Sequence, residues 1–99
     1  MFQQERNAMD KAIITVVGKD QVGIIGRVCT FLADRKVNIL DISQTIVQGY
    51  FNMMMIVDIT ALDIPFGQLA DELDVLGRDT IGVEIRCQKE EIFNSMHRI

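Results

Sequence analysis

The sequence predicts an α+β sandwich of order βαββαβ, with both helices on one face of a four-stranded antiparallel sheet. Three observations carry that prediction. Two stretches with apolar residues at helical spacing separate segments that alternate or are rich in β-branched residues. A tight Gln48-Gly49 turn joins the second and third of those segments. Right-handed crossovers then leave one economical packing, with the first and third strands central.

Lys11 to Gly18 is apolar on both faces, with Ile13 and Val17 on one and Ala12, Ile14 and Val16 on the other, which suits a central strand. Gly18-Lys-Asp-Gln-Val-Gly23 breaks that strand and opens a helix. From Ile25 the stripe Val28, Cys29, Leu32 faces inward, while Arg27, Thr30 and Asp34 face out. Arg35 and Lys36 place cations at the negative end of its dipole. Asn38 to Val47 reads as an edge strand, with Asp41, Ser43 and Thr45 on its wet side and Leu40, Ile42 and Ile46 opposite. Phe51, Met53, Met55, Val57 and Ile59 alternate with Tyr50, Asn52, Met54, Ile56 and Asp58 along the third strand.

Asp63 and Pro65 read as N-cap and first-turn residues of a second helix. Its stripe is Phe66, Leu69, Ala70, Leu73 and Leu76, and Gly77 closes it. Ile81, Val83, Ile85 and Cys87 alternate with Gly82, Glu84, Arg86 and Gln88, the clearest strand pattern in the chain. Lys89 to Arg98 reads as a short C-terminal helix with Ile92, Phe93 and Met96 inward. The sheet face away from the helices is left bare, with Ile13, Met54 and Ile56 candidates to line it. Such a patch marks an interface unless the terminal helix covers it.

Ninety-nine residues fit one domain, which at this size buries about 60–65% of its unfolded surface. The polar stretch 1–10 reads as a flexible N-terminal extension and 11–99 as the domain. A hydrophobic share of 48% excludes disorder as a general description. A net charge of −4 gives no counterion-release drive toward nucleic acid or an anionic membrane. No apolar run approaches the roughly 20 residues needed to cross a bilayer, and no signal peptide is visible, so the cytoplasm is the expected location. Cys29 and Cys87 are the only cysteines and His97 the only histidine, and neither falls in a zinc-ligand spacing. The two thiols read as core fillers.

Gly18 to Gly23 gives half of a phosphate-binding loop, but Ile24 and Ile25 stand where Lys and Ser or Thr are needed. Gly49-Tyr50-Phe51 lacks the basic residue of an RNA-recognition strand. The first loop lacks both the Cys-x-x-Cys of a metal chaperone and the arginine of an acylphosphatase-type phosphate loop. No Ser–His or Cys–His pairing is evident, so no catalytic residue, metal or cofactor is expected.

The first loop is what remains. Free N–H groups around Gly23, Ile24 and Ile25 suit a carboxylate, Asp20 suits an ammonium group, and Asn38 offers both donor and acceptor. Together they predict a clamp for a free amino acid. The plainer readings are that Asp20 caps the helix, Gly23 permits close packing, and Asn38 only forms the turn.

Ile14-Thr-Val-Val-Gly-Lys-Asp-Gln-Val-Gly-Ile-Ile-Gly-Arg-Val, followed by Val37-Asn-Ile-Leu-Asp-Ile-Ser-Gln, resembles the ACT domain over nearly the whole chain from Lys11. The likeness is greatest to small stand-alone ACT proteins, and extends to the ACT modules of glycine-cleavage regulators and formyltetrahydrofolate deformylases. It implies a ferredoxin-like fold, pairing of domains through sheet edges and helices, and an amino-acid effector where the first loop meets a neighbouring domain. By motif position it implies contacts from Asp20, Gly23 and Ile24 in the loop and from Asn38 and Ile39 on the second strand. Many members carry Pro before the glycine where this chain has Val22, a change that loosens the loop. The expected function is therefore a ligand-responsive regulatory homodimer without catalysis, passing its signal to a protein partner that the sequence does not name. The alternative is a purely structural dimerisation or docking module with an empty loop.

Overall fold

The computed structural model describes residues 10–90. Four strands, β1 (Lys11–Lys19), β2 (Asn38–Val47), β3 (Tyr50–Asp58) and β4 (Glu84–Lys89), form one sheet in the order β2-β3-β1-β4. All neighbours are antiparallel. Two helices, α1 (Ile24–Asp34) and α2 (Phe66–Val75), complete the βαββαβ order, and α2 runs on into a π turn at Leu76–Ile81. The expected ferredoxin-like architecture, with β1 and β3 central, is what the chain adopts. The C-terminal helix read over 89–98 lies outside the described residues, apart from Lys89, which closes β4, and Glu90, which is helical. Most of the N-terminal extension lies outside them too. Asp10 is held: its N–H donates to Thr60 Oγ1 at 3.0 Å and its carbonyl accepts from Ile59 at 2.8 Å.

The core lies between sheet and helices because the expected stripes face each other. Ala12, Ile14 and Val16 of β1 and Phe51, Met53, Met55 and Val57 of β3 meet Ile24, Val28 and Leu32 of α1 and Leu69 and Leu73 of α2. Across the top, Arg35 Nε meets Glu72 Oε1 at 2.6 Å, and its guanidinium stacks 3.5 Å from the Phe31 ring centroid. The Gln68 amide, then the Arg35 guanidinium, hold the Glu72 carboxyl below the usual glutamate range. That pair therefore stabilises the fold above the ordinary glutamate pKa, and its contribution disappears as pH falls through the lowered value.

Four expectations need correction. Gly77 does not end the second helix. It sits inside the π turn, and the left-handed closing position is Gly82, at φ 87°. β4 consequently starts at Glu84, not Ile81. Ile81 and Val83 are buried as the alternation required, but a buried residue every second position does not by itself make a strand. Asp63 is no cap, since Pro65 holds the N-cap position without a side-chain bond. Finally, Ile13 is only 6% exposed and Ile56 half-buried, so the bare part of the outer face lies around Val17, Met54, Val47 and Tyr50.

α1 ends with Lys36 at φ 63°, which lets Val37 N–H reach the Leu32 carbonyl at 3.0 Å. A left-handed lysine costs about 1–2 kcal/mol, and its charge near the helix end returns at most about 1. Lys36→Gly is therefore expected to stabilise the domain by about 0.5–1 kcal/mol, read as a rise of a few degrees in the thermal midpoint.

Candidate functional site

β2 is the exposed edge of the sheet. A bulge falls between Ile39 and Asp41, so Leu40 has no partner on β3, and beyond it Ile42 and Ile46 turn toward the helix side. Within β2 only Ile39 packs against the core. Ile42 and Ile46 remain 39% and 55% exposed there. Half-buried Ile25 and Cys29 line the flank of α1 that faces away from α2. The edge thus offers unpaired backbone groups beside an uncovered apolar strip.

The first loop runs along the end of this surface. The turn at Gln48 (φ 51°) and Gly49 (φ 82°) has both central residues left-handed, the geometry of a two-residue hairpin. The Gly49 carbonyl accepts from Asp20 N–H at 2.8 Å, which fixes the loop against the hairpin. Val22 at the tip is fully exposed. Gly23, at φ 92°, is the N-cap of α1, and no side chain caps its first-turn amides. The capping role considered for Asp20 is therefore not taken up, and its carboxylate is exposed at the lip. Ile24 is buried in the core, so only its backbone is available to a ligand.

The five expected contact residues do not converge within one chain. Lys19, just before the loop, pairs with Tyr50 at one end of β3, whereas Asn38 pairs with Asp58 at the other. Eight residue steps along β3 separate these ends, about 26 Å at the usual rise. The clamp of Asp20 with Asn38 is therefore corrected as an arrangement within one protomer: β1 delivers the loop to one end of the sheet, and α1 returns the chain to the other before Asn38. The order of elements already contained that signal. What the sequence did not flag is Gln21, whose Nε2 donates to the Ile81 carbonyl at 2.8 Å.

Burial pushes the Cys87 thiol up to about 12 and raises that of Cys29, so neither is a ready nucleophile at neutral pH. Among the described residues no group of three or more His, Cys, Asp or Glu is placed to hold a metal, and no helix is long and apolar enough to cross a membrane.

Comparison with known proteins gives a consistent picture. The family model described as "ACT domain" matches residues 10–88. A UPF0237 protein of Bifidobacterium longum is 66% identical over 91 residues, covering 92% of this chain and 100% of that one. An ACT domain protein from Streptococcus pneumoniae superposes with TM-score 0.75 at 43% identity, over 85% of this chain and 93% of that one. A formyltetrahydrofolate deformylase from Pseudomonas syringae (TM-score 0.73, 18% identity, 89% of this chain and 31% of that one) shares the fold. So does a putative glycine cleavage system transcriptional repressor (TM-score 0.68, 19% identity, 82% of this chain and 46% of that one).

Proposed function

The chain belongs to the ACT domain family, and on that premise we propose that it is a regulatory homodimer that binds a free amino acid between its two copies and catalyses nothing. The observation that carries this reading is the separation of Asp20 from Asn38 at opposite ends of an unpaired edge strand. Two β2 edges meeting antiparallel about a two-fold axis bring Asn38 of one copy opposite Val47 of the other. Val47 pairs with Tyr50, beside the Gly49 carbonyl that holds Asp20. Two half-sites that are useless alone then become two whole ones: loop amides for the carboxylate, Asp20 for the ammonium group, and Asn38 and Ile39 from the second copy. The same pairing covers Ile42 and Ile46 and satisfies the open edge.

Light scattering is expected to give twice the 11.2 kDa chain mass. In a thermal-shift screen against free amino acids at millimolar concentration, an effector at 100 times its Kd adds about 2.7 kcal/mol, raising the midpoint by roughly ten degrees or more. Asp20→Ala and Asn38→Ala are each expected to abolish that shift while remaining dimeric. Co-refolding the two variants restores it at one site of the mixed dimer, where the intact loop faces the intact Asn38. A single-chain mass defeats the proposal, as does a mixture that stays silent. A stable dimer that no amino acid shifts favours the structural module.

A further inference from the structure

The contacts behind the first loop form a closed circuit. Val83 is wedged between two glycines: a methyl group on Gly18 would stand 2.7 Å from Val83 Cγ1, and one on Gly77 would stand 2.6 Å from the Val83 carbonyl oxygen. Gly18 is the half-buried penultimate residue of β1, and Gly77 belongs to the π turn. The Gly77 carbonyl accepts from both Gly82 N–H at 2.6 Å and Val83 N–H at 2.8 Å. One more contact completes the ring, the Gln21 amide on the Ile81 carbonyl, joining residues 60 apart in the chain. The last carbonyls of a helix lack helical partners, and a π turn carries one more residue per turn than the α-helix it extends. Here that additional residue swings the Ile81 carbonyl out to the loop while the Ile81 side chain stays in the core.

We propose that the π turn Leu76–Ile81 is the output element of the effector loop, with Gln21 as the positioning residue that makes the two move together. This rests on the reading that the first loop carries the effector. The loop has two tethers. One, Asp20 to Gly49, leads into the hairpin at the dimer edge, and the other, Gln21, leads away from it to the exposed residues Arg78, Asp79 and Thr80. Thr80 and Leu76 border a groove with Phe31 that continues down α1 to Gly23, so a change at the loop reaches an open surface remote from the second copy.

Amide hydrogen exchange on the full-length, effector-free protein tests the link without any ligand. In Gln21→Leu, the amides of Asp20, Gly82 and Val83 are expected to exchange faster by a common factor of roughly 3–10, the value of one hydrogen bond, while those of the β1–β3 ladder hold. Acceleration at Asp20 with Gly82 and Val83 unchanged overturns the proposal, whatever the effector screen returns. If every amide accelerates equally, deletion of Asp79 supplies the second arm. Converting the π turn to an α turn withdraws the Ile81 carbonyl, so the Gln21 side-chain amide resonance moves to its free position and Asp20 exchange rises. Loop exchange unaltered by that deletion also overturns it.

Discussion

Gly77→Ala is expected to destabilise the domain by about 2–3 kcal/mol, against the sign that helix propensity alone predicts. In an open helix alanine is worth up to about 1 kcal/mol over glycine. At Gly77 the added carbon would lie 2.6 Å from the Val83 carbonyl oxygen and 2.9 Å from Ile85 Cγ1, and the first of these is backbone that cannot swing aside. Overpacking of that kind costs about 1–3 kcal/mol or more, and losing the fit between π turn and β4 adds to it. The thermal midpoint should fall by roughly 10–20 °C. Gly67→Ala, in the first turn of α2 with nothing within 4 Å, is the matched control and should hold or gain stability. Equal behaviour of the two variants would mean that the close approach of Val83 to the π turn is not maintained in solution.

The second large effect concerns assembly. Ile42→Lys places a charge beside the two-fold axis proposed for the β2 edges, where the two lysines would lie at adjacent positions of the pairing. The change removes apolar contact from both subunits and sets like charges together, so dimer dissociation should strengthen on the order of a hundredfold or more, about 2.7 kcal/mol. Monomer fold should survive, because Ile42 is 39% exposed and outside the core. The amino-acid thermal shift should vanish with the dimer. Val75→Lys adds the same charge at an exposed apolar position on α2 and should leave both mass and shift intact. Sedimentation velocity across a concentration series reads the difference directly.

Much of the fold was legible because it depends on periods the backbone imposes. β2 begins and ends where its pattern does, at Asn38 and Val47, and the Gln48-Gly49 turn follows from the need for two left-handed residues. The stripes of α1 and α2 marked the core correctly at Val28, Leu32, Leu69 and Leu73. What escaped was decided by contacts distant in sequence. Gly77 looks like a helix stop until Val83 is seen against it, and Ile81 alternates with Val83 and Ile85 whether or not it is in a strand. The candidate site divides the same way. The loop amides and Asp20 were evident from local chemistry, whereas the distance to Asn38 is a property of sheet register, and Gln21 became visible only with the Ile81 carbonyl beside it.

β1 is made first yet lies between β3 and β4, and β4 leaves the ribosome last. While α2 is still being added, β1 is itself an edge, so a half-made chain offers its neighbours the open side of a strand that is central in the finished sheet. Emergence of β4 covers that side and leaves the edge on a strand of only six residues. Completion of the sheet is therefore paced by translation of its last strand.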